Sequence, residues 1–121
     1  MKALVLTMPL LLLTGCVQTP LPQSEQALDW HTFGVESALE GKIALSEAGL
    51  LKLAEPRNLS ANLLASYQAG YQEGKQQYCQ QNAYMLGVIG KPYYGICDDV
   101  DPFFKQDYIS GQMSTAGGLQ R

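Results

Sequence analysis

The chain has 121 residues and a formal net charge of −3, with 8 basic and 11 acidic residues. This length allows one small domain, which can bury a modest core but cannot enclose a deep catalytic cavity. Because the basic residues form no cluster, nucleic acids and anionic lipid headgroups are excluded as preferred partners.

The N-terminus has the features of a lipoprotein signal peptide. Lys2 is followed by an apolar stretch over residues 3–13, which is shorter than the roughly 20 residues of a membrane-spanning helix. The stretch ends in LTGC at residues 13–16, an apolar residue and two small residues before a cysteine. This pattern predicts a signal peptide over residues 1–15 and lipidation of Cys16, with a diacylglyceryl group on its sulfur and a fatty acyl chain such as palmitate on its nitrogen. The alternative is an ordinary secretory signal that contains a cysteine by chance.

The residue after the lipidated cysteine bears on the destination of the protein. In enteric-type bacteria an aspartate at this position retains a lipoprotein in the inner membrane, whereas here the position is Val17. The resemblance to sorted lipoproteins implies the outer membrane, with the domain facing the periplasm. Two or more acyl chains on Cys16 would anchor it stably.

The sequence after the signal peptide divides into three predicted parts. Residues 16–28 are polar and contain two prolines, which is typical of a flexible tether. A single globular domain is expected over residues 29–111, followed by a disordered tail over residues 112–121.

The domain is predicted to be mainly α, a small bundle of three to five short helices. Asp29 is expected to cap the first helix, in which apolar and small residues recur at spacings of three and four. Gly41 can end this helix, since glycine readily adopts the left-handed conformation of a helix terminus. Residues 43–54 form a second amphipathic stretch, which Pro56 stops.

A third and longer helix is predicted from a cap at Asn58 or Ser60 to about Gln80. A Tyr-x-x-Gly pattern recurs along the chain, although a glycine inside a helix costs about 1 kcal/mol relative to alanine. One explanation is a notch beside each tyrosine ring, into which a neighbouring helix packs. The other is a tyrosine-lined groove for a glycan or peptide. This candidate packing or binding face consists of Trp30, Tyr67, Gly70, Tyr71, Gly74 and Tyr78.

Residues 82–97 allow two interpretations. We favour a short helix that is capped by Asn82, ends at Val88 and is followed by an extended return. The alternative is a short hairpin over residues 84–96 that turns at residues 90–92.

The last predicted helix begins at Asp101, which can cap it, with Pro102 in the first helical position. Acidic residues near this point could bind Ca²⁺ through their oxygens. Their spacing is not that of an EF-hand, and carboxylates stabilise a helix N-terminus without any ligand. No metal site is therefore expected at the aspartates concerned, which are Asp98, Asp99, Asp101 and Asp107.

Two cysteines remain besides Cys16. In an oxidising compartment an even pair predicts a disulfide, here between Cys79 and Cys97. The bond would close a loop of about 19 residues and contribute about 3 kcal/mol to stability. The alternative is two free or metal-bound thiols, which the single histidine and the absence of a C-x-x-C motif disfavour.

No catalytic constellation is evident in the sequence. His31 would need a nucleophile beside it, and no G-x-S-x-G motif is present. No phosphate loop or dinucleotide-binding motif is present either, so neither an enzymatic activity nor a cofactor is expected. Paired carboxylates for glycan cleavage would have to come from glutamates that are more typical of a solvated face. These are Glu36, Glu40, Glu47, Glu55 and Glu73.

Together these motifs resemble the domain-of-unknown-function 2799 family of proteobacterial lipoproteins. The similarity extends from about residue 29 to residue 111, and one departure is Ser37-Ala38, where the family pattern has Asp-Gly. The resemblance implies an envelope location, supports pairing of Cys79 with Cys97, and implies no activity. It is carried by Asp29-Trp30, Gly34, Gly41, Tyr67-x-x-Gly70, Tyr71-x-x-Gly74, Tyr78-Cys79, Gly87, Gly90, Tyr93, Gly95-Ile96-Cys97, Phe104 and Tyr108-x-x-Gly111.

Two hypotheses for the function follow. In the first, the chain is a membrane-anchored, non-enzymatic structural or binding module of the cell envelope, with an envelope protein or a glycan as partner. In the second, it is a glycan or cell-wall enzyme, or a regulator of one. Burial of Tyr67, Tyr71 and Tyr78 against other helices would remove the basis of the second hypothesis.

Overall fold

The computed structural model of the protein describes residues 19–118. The predicted signal peptide, Cys16 and Val17 lie outside the described residues. Within these bounds the chain forms five helices and no strand, which confirms the prediction of a mainly α bundle. The helices are α1 (Ala27–Leu39), α2 (Glu47–Ala54), α3 (Ala61–Cys79), α4 (Ala83–Val88) and α5 (Phe104–Gly118).

Helix α1 begins earlier than the sequence predicts. Its N-cap is Gln26, which makes no side-chain capping hydrogen bond, so the prediction that Asp29 caps the helix was wrong. Asp29 instead lies in the first turn, where its charge favours the helix dipole, and accepts a hydrogen bond from Ser24. Gly41 ends the helix as predicted. It has a φ of +76°, and its N–H and that of the next residue donate back to carbonyls of the last turn.

Serine side chains cap the next two helices. The Oγ of Ser46 accepts the N–H of Gly49 at the start of α2, and the Oγ of Ser60 accepts the N–H of Leu63 at the start of α3. These caps place the start of α2 later than residue 43 and select Ser60 from the two predicted caps of α3.

Residues 82–97 contain a short helix, as favoured from the sequence. The Oδ1 of Asn82 accepts the N–H of Met85 and caps α4. Gly90, with a φ of +71°, ends this helix through the same backward N–H to carbonyl bonds that Gly41 makes. The alternative hairpin is wrong, since no strand forms in this part of the described chain.

Helix α5 starts later and extends further than predicted. Asp101 accepts the N–H of Phe103 in a turn before the helix and does not cap the helix itself. The tail predicted to begin at residue 112 is helical up to Gly118. The predicted boundary at Gly111 is instead a buried position inside the helix, because this glycine packs against α4.

The segment before α1 contacts the domain, which corrects the predicted flexible tether over its described part. The indole Nε1 of Trp30 donates to the carbonyl oxygen of Ser24 at 3.0 Å. The guanidinium of Arg57 donates to the carbonyl oxygen of Pro22 at 2.9 Å, and Leu21 packs against the hydrophobic core. Arg57 and Pro22 are 35 positions apart in the sequence, so a polar composition with prolines does not reveal their contact.

The helices pack as two pairs, α1 with α3 and α4 with α5. Aromatic rings fill the core in two clusters, in which neighbouring ring centroids are 5.2–6.2 Å apart. Such edge-on and tilted ring pairs add stabilisation beyond the burial of apolar surface. The first cluster consists of Trp30, Phe33, Tyr67 and Tyr71, and the second of Tyr78, Tyr93, Phe104 and Tyr108.

Candidate functional site

Three of the recurring glycines lie where the backbones of α1 and α3 touch. A Cβ at Gly70 would be 1.9 Å from the carbonyl oxygen of His31, and a Cβ at Gly74 would be 2.4 Å from that of Val35. A Cβ at Gly34 of α1 would be 2.2 Å from a backbone oxygen of α3. Because non-bonded heavy atoms attract best at about 3.5–4.0 Å, no side chain fits at these points. The glycines therefore allow the two helices their close approach.

Helices α4 and α5 also touch at glycines, one from each helix. A Cβ at Gly87 would be 2.0 Å from the carbonyl oxygen of Tyr108, and a Cβ at Gly111 would be 2.0 Å from that of Tyr84. Each glycine of one Tyr-x-x-Gly unit thus meets the tyrosine backbone of the other. The pattern marks helix contacts.

Tyrosine hydroxyls on α3 hold the connection between α1 and α2. The hydroxyl of Tyr71 donates to the carbonyl oxygen of Lys42 at 2.8 Å, and the hydroxyl of Tyr67 accepts the N–H of Leu45 at 2.9 Å. Tyr71 is 4% exposed and Tyr67 is 1% exposed, so both bonds are partly shielded from water. The hydroxyls therefore fix the backbone of this connection against α3.

A second set of hydroxyls holds the connection between α4 and α5. The hydroxyl of Tyr108 donates to the carbonyl oxygen of Lys91 at 2.7 Å, and that of Tyr78 donates to the carbonyl oxygen of Pro92 at 3.4 Å. The hydroxyl of Tyr93 accepts the backbone N–H of a disulfide cysteine at 3.2 Å. These tyrosines supply polar partners to the irregular backbone of this connection, in which Ile96 and Cys97 are buried.

The candidate face is therefore a packing face. Trp30, Tyr67, Tyr71 and Tyr78 are all buried in the core, and their polar atoms bond to backbone groups. A glycan-binding groove would need such rings at the surface. Their burial removes the tyrosine face as a support for the enzyme hypothesis.

Cys79 and Cys97 form the predicted disulfide, with their Cα atoms 5.6 Å apart. Cys79 is the last residue of α3, whereas Cys97 lies in the connection between α4 and α5 and is fully buried. The bond therefore joins the α1–α3 pair to the part of the chain that carries the other pair.

Several of the polar residues considered for catalysis or metal binding make ordinary contacts with neighbouring side chains. The Lys75 ammonium is 2.8 Å from Asp99 and holds the pKa of that carboxyl below its usual value. The Nε2 of His31 is 3.3 Å from the Oε2 of Glu73. Asp98 accepts the hydroxyl of a tyrosine at 2.6 Å. No cluster of three or more His, Cys, Asp or Glu side chains suited to a metal ion occurs within residues 19–118.

Sequence reasoning missed a groove of about 710 Å³ between α1, α2 and the segment before α1, which we name the N-terminal groove. The sequence feature that could have indicated this groove is the stretch 43–54, which has more apolar residues than one face of a helix can bury. The charged residue in its lining, Lys42, pairs with Glu40, which also accepts the Thr19 hydroxyl. Both hydrogen bonds lower the pKa of Glu40. The groove is defined by Thr19, Leu21, Phe33, Ile43, Leu53 and Tyr67.

A family model described as a protein of unknown function, DUF2799, matches residues 29–113. The chain belongs to this family. The match covers the glycine contacts of both helix pairs and both disulfide cysteines, and it confirms the family resemblance seen in the sequence. A search among curated proteins and one among solved structures found no match. Within residues 19–118 of this DUF2799 protein, no helix combines the length and apolar character needed to cross a membrane.

The hydroxyl bonds of the DUF2799 domain can be tested by removing single oxygen atoms. Tyr71→Phe and Tyr108→Phe should each lower the free energy of unfolding by about 1–2 kcal/mol, because a shielded carbonyl loses its partner. Denaturant unfolding followed by circular dichroism measures the loss. The matched control is Tyr94→Phe, whose ring is 62% exposed and which should change stability by less than about 0.5 kcal/mol. Equal losses in all three variants would contradict the assignment.

The DUF2799 domain should also lose stability at alkaline pH. Burial raises the pKa of Tyr71 from 10.0 to about 12, and burial likewise raises the pKa of Tyr67. Above the unfolded pKa the unfolded chain binds fewer protons than the folded protein. The contribution of these tyrosines to stability is therefore constant below about pH 10 and falls as the pH rises toward about 12. Unfolding curves across this range measure the fall. Tyr71→Phe should show a smaller fall, and an undiminished one would refute the role of this hydroxyl.

Proposed function

We propose that this protein is a lipoprotein of the bacterial outer membrane, held at the periplasmic face by lipid on Cys16. There it acts as a non-enzymatic structural or binding module of the cell envelope. The sequence LTGC at residues 13–16 carries the proposal, since it supplies both a signal-peptidase site and the thiol to be lipidated. The Cys79–Cys97 disulfide is consistent with an oxidising compartment.

The arrangement of the tyrosines supports the non-enzymatic part of the proposal. The rings that could have lined a glycan site serve the core, and their hydroxyls bond to backbone groups. Glu40 and Glu73, two of the carboxylates considered for glycan cleavage, contact different partners, Lys42 and His31. What remains for interaction is the outer surface of a compact domain close to a membrane.

Cys16→Ser tests the anchor. The wild-type chain, produced in a Gram-negative host, should incorporate labelled palmitate and fractionate with the outer membrane. Cys16→Ser should take up no label and leave the outer-membrane fraction, because its hydroxyl cannot replace the thiol as lipid acceptor. Gln18→Ser is the matched control and should behave as wild type. Normal maturation of Cys16→Ser with retention in the membrane would refute the anchor.

Two further measurements test the location in the outer membrane and the partner. Val17→Asp should move the lipidated protein to the inner-membrane fraction, whereas Val17→Ala should not. Chemical crosslinking in the periplasm, followed by identification of the captured protein or glycan, would then define the binding role.

A further inference from the structure

Only a short stretch of chain separates the domain from the predicted lipid. Thr19 bonds to Glu40, and the residues after it are held by Arg57 and Trp30. Thr19 is the third residue after Cys16, so the intervening chain spans at most about 11 Å when fully extended. A domain tied this closely meets the bilayer with the side that carries Thr19.

The N-terminal groove makes part of that side apolar, and Glu36 and Glu40 lie on the other side of Thr19. Thr19 lines the N-terminal groove, and Ile43 and Leu53 stand at its rim with 54% and 57% of their surfaces exposed. The charge of Lys42 is balanced by Glu40. Single exposed apolar residues are ordinary on a protein surface, but here two of them flank an apolar groove beside the anchored end of the chain.

We propose that the N-terminal groove is the surface with which the domain rests on the bilayer, with Ile43 and Leu53 at the boundary between headgroups and acyl chains. The inference rests on the proposed lipid at Cys16, because that lipid brings the groove to the membrane. The lipid supplies the affinity, and the groove determines which face of the domain meets the bilayer. Without Lys2, which leaves with the predicted signal peptide, 7 of the 8 basic residues remain beside 11 acidic ones, a net charge of −4. Since the basic residues form no cluster, the contact is apolar and suits zwitterionic lipid.

The opposite face of the domain then points into the periplasm. His31 and Phe33 are two positions apart in α1, which places them about 200° apart around the helix axis. Phe33 lines the groove, whereas His31 pairs with Glu73 of α3 on the other side. Gln77 is exposed and donates to Glu73, so it marks the periplasmic face.

Site-specific photocrosslinking in the full-length chain tests this orientation. A photoreactive phenylalanine analogue replaces Ile43, Leu53 or, as the matched control, Gln77. All three side chains are exposed, so the probe leaves the core intact, and a cooperative melting curve verifies folding. Cells are labelled with palmitate and irradiated, and the adducts are identified by mass spectrometry. We expect phospholipid adducts at positions 43 and 53 and no phospholipid adduct at position 77.

The other outcomes each overturn the inference. With the palmitate label present, protein adducts at positions 43 and 53 would show that the groove meets a protein. Equal lipid adducts at all three positions, or none at any of them, would show that no particular face meets the bilayer. Absence of the palmitate label would refute the anchor itself, and this inference with it.

Discussion

Gly70→Ala should lower the free energy of unfolding by about 3 kcal/mol or more, and the melting temperature by about 12 °C or more. The added Cβ would lie 1.9 Å from the carbonyl oxygen of His31, which belongs to the backbone of α1 and cannot rotate away. The helices would have to separate, and the ring contacts between them would be lost. The gain in helix propensity, about 1 kcal/mol, is too small to offset this. Thermal and denaturant unfolding followed by circular dichroism measure the change.

The matched control is Gly49→Ala, the same change inside α2. There the nearest atom to an added Cβ is the capping Oγ of Ser46 at 3.2 Å, a side-chain atom that can shift by a few tenths of an ångström. This variant should equal or slightly exceed the wild type in stability. Gly111→Ala, at the α4–α5 contact, should behave like Gly70→Ala. If Gly70→Ala unfolded at the same temperature as Gly49→Ala, the close approach of α1 and α3 would be disproved.

Removal of the disulfide is the second large perturbation. The variant with both Cys79→Ala and Cys97→Ala should lose about 3 kcal/mol of stability, because the unfolded chain regains the entropy of a closed loop. The sequence separation of the two cysteines is 18. The bond also holds the α4–α5 pair against the end of α3, so the loss should appear in denaturant unfolding of the whole domain.

A reductant provides the internal control for this variant. It should lower the stability of the wild type to that of the double variant and leave the double variant unchanged. Cys16 does not interfere, since its sulfur carries lipid in the proposed mature protein. A double variant as stable as the oxidised wild type would show that the bond contributes nothing to the fold.

The sequence predicted those parts of the fold that depend on neighbouring residues. Ser60 and Asn82 cap helices through N–H groups three residues away, and Gly41 ends α1 with its own backbone conformation. The repeated Tyr-x-x-Gly unit indicated a close contact, since a helix does not otherwise tolerate so many glycines. The sequence did not predict which helices touch, because the partner backbone lies far along the chain.

The errors have two causes, a set of hydrogen bonds over five and six residues at the start of α1 and distant hydrogen bonds at the groove. Asp29 looks like a cap, but Ser24 binds it, and Trp30 holds the preceding segment on the domain, so the helix begins sooner. The N-terminal groove was missed because an amphipathic pattern assigns Ile43 and Leu53 to the core, whereas the connection before α2 follows the tyrosine hydroxyls of α3. Local patterns carry no information on such distant hydrogen bonds.

The glycine contacts also have a mechanical consequence. Gly34, Gly70 and Gly74 each fit opposite one stretch of backbone on the facing helix. If α1 slid by one residue along α3, a side chain would take the place of a glycine and collide with that backbone. Shear between packed helices, by which many proteins pass a change of state from one site to another, is therefore blocked in this pair. Helices α1 and α3 are therefore expected to move together as one rigid unit.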